Sequence, residues 1–297
     1  MSSLARPDRR LADRLRDLVL LTKPRITFMV VLTAAGGMWL APGAMAPARA
    51  LGTLVALALV VSAASVLNCW LERDVDRHMS RTRTRPLPDG RLSPGLALGF
   101  GLGLGVLGVP LLTLASNPLT GALGAIALFS YVAVYTPLKR VSPIALVVGA
   151  VPGALPPLMG WTAATGELGA PGLVLFAILF FWQLPHFLAI ALVREREYAD
   201  AGIRVLPAVR GRRVTVWHTV AWAALLLPVS LLLVPAGAAG GLYLVVATGL
   251  GLAFLAWAAR GLAPEAGRPW AKRLFVASLA YLPLLLLGLA LDVALLR

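Results

Sequence analysis

Charged residues and cysteine are scarce in this chain, and each scarcity excludes a class of protein. Only 13% of the 297 residues are charged, whereas 59% are hydrophobic, and a water-soluble domain of this length needs far more polar surface. The single cysteine, Cys69, cannot form a disulfide within the chain and provides no cysteine cluster for a metal. The composition therefore predicts an integral membrane protein.

Acidic residues are the scarcer of the two charge types. The chain has 13 of them against 27 lysines and arginines, a formal net charge of +14. In a soluble protein this balance would favour a nucleic-acid partner. Here the basic residues stand between long apolar blocks, where the positive-inside rule explains them. We therefore expect a lipid bilayer as the environment and no nucleic acid as a partner.

The apolar residues form nine blocks, most of them about 17–22 residues long, enough to cross a bilayer as helices. The predicted spans are roughly residues 26–41, 51–71, 95–115, 119–135, 143–162, 171–192, 214–235, 240–260 and 273–296. The predicted fold class is therefore all-α integral membrane, with nine transmembrane helices. We expect one membrane domain over residues 1–297, in which 1–25 form a cytoplasmic N-terminal segment and 26–296 the nine-helix bundle.

The positions of the basic residues predict the orientation. All lysines and arginines except Arg49 and Arg297 lie before the first span or in even-numbered connections, which places those segments in the cytoplasm. The N-terminus is then cytoplasmic and the C-terminus outside. Among the acids, only Glu167 and Asp292 fall on the outer side. Because the positive-inside rule says little about acids, their clusters at the cytoplasmic span ends need a local explanation.

The first acidic cluster lies at the end of the second span. Asn68, Glu72 and Asp76 are spaced i, i+4, i+8, which puts them within about 80° of arc on one helix face. Oxygen ligands of this kind suit Mg²⁺, which is usually held by one or two carboxylates together with substrate phosphates. The alternative is a solvated helix end whose acids pair with Arg73 and Arg77.

Basic residues follow this stripe directly. Arg81 and Arg85 lie four residues apart, and guanidinium groups suit phosphate oxygens. Metal ligands followed by such arginines predict a diphosphate site, although membrane anchoring alone also explains basic residues here. Asp74 is expected on roughly the opposite side of the helix.

The second cluster, which consists of Glu195, Glu197 and Asp200, follows the sixth span. This span runs in the same direction as the second span, so both acidic ends face the same side. Within this span, His186 is an ionisable residue at membrane depth, and such residues are functional candidates by default. The alternative is a neutral structural histidine that is hydrogen-bonded to a neighbour such as Gln183.

Two motifs resemble those of a known family. Residues 68–87 read Asn-x-x-x-Glu-Arg-Asp-x-Asp-x-x-Met-x-Arg-Thr-x-x-Arg-Pro-Leu, and residues 182–187 read Trp-Gln-x-Pro-His-Phe. Both are similar to signatures of the haem O synthase branch of the UbiA family of membrane prenyltransferases. Residues 21–26, 135–140 and 201–207 also fit, so the resemblance covers residues 21–210. Cys69 and Glu72 replace aspartates of other branches, and the second cluster lacks the wider family's Asp-x-x-x-Asp pattern.

The resemblance implies a UbiA-like helical bundle that transfers a farnesyl group from farnesyl diphosphate to the vinyl group of haem b, adds water, and yields haem O and diphosphate. It implies Mg²⁺ held by Asn68, Glu72, Asp76 and Glu197. The candidate catalytic residues are Asn68, Glu72, Asp76, Arg81, Arg85, Lys139 and Glu197. Haem b would be held by His186, as an axial ligand or by packing on the porphyrin, together with Trp182 and Gln183.

The same resemblance implies the cell inner membrane as location, with the active site on the cytoplasmic side, and haem A synthase or a terminal oxidase assembly as partners. Two alternatives stay open. One is a UbiA-type transferase that acts on an aromatic or quinone precursor. The other is a transporter for a cation or haem, although transporters more often carry discontinuous spans with ionisable groups near the midplane.

Overall fold

The computed structural model describes residues 11–43 and 45–296, and the regular structure in these residues is helical throughout. Of the basic residues counted for the orientation, Arg6, Arg9, Arg10 and Arg297 lie outside the described residues. The helices are α1 (Leu11–Leu21), α2 (Pro24–Leu40), α3 (Pro47–Asp76), α4 (Pro94–Ala115), α5 (Pro118–Phe129), α6 (Thr136–Leu138), α7 (Ala145–Thr165), α8 (Ala170–Val193), α9 (Glu195–Asp200), α10 (Leu206–Leu231), α11 (Gly241–Ala259) and α12 (Arg268–Leu296). A π-helical turn, Ser130–Tyr135, joins α5 to α6, and a 3₁₀ turn, Arg260–Leu262, follows α11.

Within the described residues, eight stretches are long and apolar enough to cross a membrane, and the π-turn lies within one of them, Pro118–Leu138. The predicted first span corresponds to α2, which has 17 residues and forms a pair with α1 bent by 46°. The bend lies at Lys23, whose φ of 52° is in the left-handed region. Pro24 disfavours a helical conformation at the residue before it. The described chain therefore has eight spans, or nine if the bent pair is one, and is a multi-pass membrane protein.

Helix α7 is the most buried of the spans, and it packs against α2, α5 and α8. Small residues allow the closest approach. A Cβ atom at Gly160 would lie 1.8 Å from the carbonyl oxygen of Ala34, and one at Gly37 would lie 2.0 Å from that of Pro157. Membrane helices commonly associate through such small residues. The α2–α7 contact therefore fixes the position of the bent N-terminal pair beside α3.

The structure explains two isolated residues of the sequence, Cys69 and Asp292. Cys69 is buried and unbonded among apolar residues of α1, α3 and α4, as expected of a packing residue. Asp292, near the end of α12, accepts hydrogen bonds from the backbone amides of Gly240 and Tyr243. It therefore caps the first turn of α11, which accounts for one of the two acids expected on the outer side.

Candidate functional site

A cavity of about 290 Å³ lies where α3, the π-turn and the end of α8 come together. Its polar lining consists of Lys23, Asn68, Glu72, Asp76, Arg81, Arg85, Tyr131, Tyr135, Lys139, Tyr198 and Arg204. Helix α3 extends to Asp76, five residues past the predicted end of the second span. The predicted stripe of Asn68, Glu72 and Asp76 is therefore on one helix face, and that face lines the cavity.

Asn68 is the centre of a buried hydrogen-bond network. Its amide oxygen accepts a hydrogen bond from Lys23 Nζ at 3.0 Å. Its amide nitrogen donates to Glu72 Oε2 at 3.0 Å and to Thr136 Oγ1 at 3.1 Å. The Thr136 hydroxyl in turn donates to the Tyr131 carbonyl oxygen at 2.8 Å, within the π-turn. Such turns are frequent at functional sites, and this network ties α2, α3 and the π-turn to one point.

Each carboxylate of the stripe has a basic partner that differs from the one the solvated-helix alternative predicts. Glu72 Oε1 lies 2.5 Å from Lys139 Nζ, and Asp76 Oδ2 lies 2.7 Å from Arg85 Nη1. Arg73 and Arg77 pair with Asp74 instead, at 3.7 and 3.6 Å. The side chain of Asp74 is 62% exposed whereas that of Asp76 is 5% exposed. The expectation that Asp74 faces away from the stripe is confirmed.

Lys139 closes one side of the cavity just after α6. Its ammonium group lies 4.5 Å from the centre of the Tyr135 ring, a cation–π contact. Burial acts to lower the pKa of Lys139, but the neighbouring Tyr135 and the Glu72 carboxylate raise it above its ordinary value. Lys139 is therefore a cation at neutral pH, placed beside both the carboxylate stripe and the cavity.

Glu197 is close to this cavity but does not line it. It lies on α9, where its carboxylate accepts hydrogen bonds from Ser80 Oγ at 2.7 Å and from Arg194 Nη1 at 2.8 Å. The Ser80 hydrogen bond, followed by those of Arg194 and the Arg81 backbone, holds the pKa of Glu197 below its ordinary value. The next residue, Tyr198, does line the cavity. The two acidic clusters thus meet through the loop that carries Ser80 and Arg81.

The predicted haem-binding residues lie deeper in α8 and outside the cavity lining. Gln183 packs against α7, where its amide nitrogen donates to the carbonyl oxygens of Leu179 and Ala150. His186 stacks on Trp182, with ring centres 5.0 Å apart, and contacts Phe275 of α12. The hydrogen-bond partner of His186 is Ser278, at 2.7 Å from Nδ1, rather than Gln183.

The Ser278 hydroxyl favours one tautomer of His186. It has one proton, which it donates to the carbonyl oxygen of Phe275 at 2.6 Å, so it accepts from Nδ1–H of the imidazole. In the neutral ring, Nε2 then keeps its lone pair. A hydrogen bond at one ring nitrogen that leaves the other free is typical of metal-ligating histidines. The predicted haem role of His186 is compatible with this arrangement and stays a prediction.

Among the described residues, no group of three histidine, cysteine or carboxylate side chains is arranged to hold a metal by itself. The cavity does bring together two carboxylates and one amide oxygen from α3 with several cations. Mg²⁺ is commonly bound by one or two carboxylates plus substrate phosphates and water. The donor set therefore fits Mg²⁺ bound together with a diphosphate.

Several cavity residues were not predicted as site residues from the sequence. Lys23 was part of the motif 21–26, but its long-range contact with Asn68 required the fold. Tyr131 and Tyr135 are spaced i, i+4 before the predicted Lys139, a spacing that could have indicated them. Tyr198 and Arg204 line the cavity from α9 and the following loop. Tyr198 follows the predicted Glu197 and Arg204 lies in the motif 201–207, but placing their side chains at the cavity required the fold.

Comparison with known proteins identifies the family. The UbiA prenyltransferase family matches residues 30–279. Protoheme IX farnesyltransferase of Anaeromyxobacter sp. (strain Fw109-5) is 55% identical over 277 residues, 93% of each chain. The protein of the same name from Myxococcus xanthus (strain DK1622) is 51% identical over 276 residues, which cover 93% of this chain and 94% of that protein.

Solved structures share the fold. A digeranylgeranylglyceryl phosphate synthase superposes with a TM-score of 0.82 at 17% identity, over 94% of this chain and 98% of that one. A UbiA homologue from Archaeoglobus fulgidus bound to DMAPP and Mg²⁺ superposes with a TM-score of 0.67 at 15% identity, over 92% and 99% of the two chains. The predicted all-α, UbiA-like membrane bundle is confirmed, and the chain belongs to the UbiA prenyltransferase family.

Proposed function

We propose that this protein is a protoheme IX farnesyltransferase, which transfers the farnesyl group of farnesyl diphosphate to the vinyl group of haem b and, with addition of water, forms haem O and diphosphate. The observation that carries the proposal is 55% identity across 93% of a relative with that name. The chemistry of the cavity supports the donor half independently, because carboxylates, lysines and arginines meet at the end of apolar helices.

The cavity has a polar part, which we call the head site for the diphosphate, and an apolar wall. Arg81, Arg85 and Lys139 bind the diphosphate oxygens, and Lys23 adds a fourth cation. The prenyl chain lies along the apolar lining, which includes Ile26, Leu146, Phe187 and Ile190. Apolar walls of this kind exclude water from a reactive carbocation.

We propose that Mg²⁺ is held by Asn68, Glu72 and Asp76, together with Glu197 on the neighbouring helix. The ion supplies charge stabilisation to the departing diphosphate when bound. In the free protein the carboxylate of Glu197 faces Ser80 and Arg194. It thereby holds the loop that carries Arg81, and its role in binding Mg²⁺ stays a prediction.

The reaction breaks the bond between farnesyl C1 and the diphosphate oxygen, and the bonding electrons leave with the diphosphate. The cationic side chains of the cavity stabilise that charge as it develops. The π electrons of the haem vinyl group form the new carbon–carbon bond with farnesyl C1. Water then adds to the remaining cationic carbon and loses a proton, which gives the hydroxyethylfarnesyl group.

The acceptor half of the site is also a proposal. His186, oriented by Ser278 and stacked on Trp182, holds haem b, with Gln183 fixing α8 against α7. We place the active site on the cytoplasmic side of the cell inner membrane, with the N-terminus cytoplasmic and the C-terminus outside. Within residues 11–43 and 45–296 the chain forms one membrane domain, and haem A synthase or a terminal oxidase assembly is the partner for the product.

The deciding experiment incubates purified protein with haem b, farnesyl diphosphate and Mg²⁺ and separates the haems by chromatography. We expect a new, more hydrophobic haem whose mass corresponds to haem O, and its formation to stop on chelation of Mg²⁺. Prenylation of an aromatic or quinone precursor with no change to haem would establish the other branch of the family. Uptake of haem or a cation into vesicles without any prenylated product would refute the enzyme.

A further inference from the structure

A second depression, with a volume of about 750 Å³, lies beside the site already described. It is formed by the end of α8, by α9 and by the start of α12. We call it the basic depression, and its lining consists of Leu192, Val193, Arg194, Glu195, Arg196, Glu197, Arg268 and Lys272. Four of these eight residues are basic, and none of the eight lines the cavity of the carboxylate stripe.

Helix α9 borders both the basic depression and that cavity. Glu197 lines the depression, and the adjacent Tyr198 lines the cavity. Glu197 also accepts the hydrogen bond from Ser80, whose neighbours Met79 and Arg81 line the cavity. A molecule in the depression therefore lies beside the helix and the loop that also border the head site for the diphosphate.

The depression is lined in part by α8 and α12, the two helices that also carry His186 and its contacts. Phe275, one turn further along α12 than Lys272, contacts the imidazole with ring centres 5.1 Å apart. Ser278, the hydrogen-bond partner of His186, follows on the same helix. The basic depression and the contacts of His186 thus involve the same pair of packed helices.

The positive charge of the depression is only partly compensated, because its lining has four basic residues against two acids, Glu195 and Glu197. Arg194 pairs with Glu197 at 2.8 Å. Within residues 11–43 and 45–296, Arg268 and Lys272 have exposed side chains and belong to none of the ion pairs. Two free cations on one helix, four residues apart, are neighbours on one face. They suit a ligand with two carboxylates, because lysine and arginine both bind carboxylate oxygens.

We propose that Arg268 and Lys272 bind the two propionate carboxylates of the haem acceptor, an inference that rests on the proposed function. Haem b carries its propionates on the edge opposite its vinyl groups. When the propionates are held at α12, the vinyl edge points across the depression towards α9 and the cavity beyond it. Leu192 and Val193 provide apolar contact for the porphyrin, and the two cations act as specificity-determining residues for the acceptor.

The test compares haem b with its dimethyl ester, in which both propionates are neutral, at saturating farnesyl diphosphate and Mg²⁺. We expect the wild-type KM to be about tenfold higher for the ester, as for the loss of two partly exposed ion pairs. The double variant Arg268→Ala, Lys272→Ala is expected to raise the KM for haem b by about the same factor. The double variant should leave the KM for farnesyl diphosphate unchanged, and its KM values for haem b and for the dimethyl ester should no longer differ.

Arg273→Ala is the matched control, because Arg273 is on the same helix but lines a different groove, with Trp257 and Trp270. It should leave acid-versus-ester discrimination at the wild-type value. Equal wild-type KM values for haem b and its ester would overturn the inference, and this measurement does not depend on whether a variant folds. A double variant that keeps the wild-type discrimination would overturn it as well. Absence of any prenylated haem from wild-type protein would instead refute the proposed function, and the inference with it.

Discussion

Asp76 and Asp74 provide an internally controlled test of the carboxylate stripe. They are two residues apart on α3, yet the Asp76 side chain is 5% exposed, lines the cavity and pairs with Arg85 at 2.7 Å. Asp74 is 62% exposed and pairs with Arg73 and Arg77 at 3.7 and 3.6 Å. The changes Asp76→Asn and Asp74→Asn remove the same charge from the same helix. Only the first should affect catalysis.

The magnitude follows from what Asp76 contacts. Asparagine retains the shape and one acceptor oxygen but loses the charge that holds Arg85 and, in the proposed site, Mg²⁺. A hydrogen bond to a charged group contributes about 1.5–3 kcal/mol, which corresponds to about a 10–150-fold fall in kcat/KM. Exposed ion pairs contribute about 0–1 kcal/mol to stability, so Asp74→Asn should keep activity within about twofold of wild type.

The assay is the rate of haem O formation from haem b and farnesyl diphosphate as a function of Mg²⁺ concentration. Asp76→Asn should also require more Mg²⁺ for half-maximal rate, whereas Asp74→Asn should not. Melting temperatures of both variants in detergent separate a loss of function from a loss of fold. Equal activity of the two variants, with both folded, would refute the assignment of the stripe to the reaction.

Three further predictions concern other parts of the structure. His186→Ala should abolish haem binding measured by difference absorption, and Ser278→Ala should weaken it without abolishing it; unchanged spectra for both would remove the haem role. Gly160→Ala should lower the free energy of unfolding by about 1–3 kcal/mol through overpacking. The control Gly36→Ala should not, because a Cβ at Gly36 meets nothing within 4 Å. Equal melting temperatures of the two variants would contradict the close α2–α7 contact. The Ser80 hydrogen bond lowers the pKa of Glu197 in the folded protein. The ionised Glu197 carboxylate therefore stabilises the fold above the ordinary glutamate pKa of about 4.3, and this stabilisation is lost as the pH falls through the lower pKa of the folded state. The melting temperature of wild type should therefore exceed that of Glu197→Gln above about pH 5 and approach it towards pH 3, and a difference that does not vary with pH would contradict this.

The features predicted well from the sequence are those that depend on local periodicity. Apolar block length gave the spans, and the i, i+4, i+8 spacing placed Asn68, Glu72 and Asp76 on one face of α3 because a helix repeats every 3.6 residues. The same geometry placed Asp74 away from that face. These predictions need only the conformation of one helix, which the apolar composition already favours.

The features that the sequence did not provide depend on contacts between distant segments. The partners of the two carboxylates are Lys139 and Arg85, whereas Arg73 and Arg77 are nearer in sequence to both. The hydrogen bond from Lys23 to Asn68 joins residues 45 positions apart. The helical lead-in α1 and the left-handed Lys23 arise where Pro24 interrupts the helix. Such pairings follow from helix packing, which no local pattern encodes.

The ion pairs of the cavity would connect donor binding to metal binding in the proposed site. The lining holds five cations, namely Lys23, Arg81, Arg85, Lys139 and Arg204, and two carboxylates, Glu72 and Asp76. Two of the cations are engaged by those carboxylates, so the remaining excess of positive charge attracts a diphosphate to the cavity.

In the proposed site, diphosphate oxygens would compete directly with Glu72 for Lys139 and with Asp76 for Arg85. Each exchange would transfer a cation from a protein carboxylate to the substrate and leave that carboxylate available to a metal ion beside the same phosphates. Donor and metal would then strengthen each other's binding by the same factor, as linkage requires. Because ion pairs neutralise the carboxylate stripe in the free protein, the proposed metal site would be completed only when the prenyl diphosphate is present.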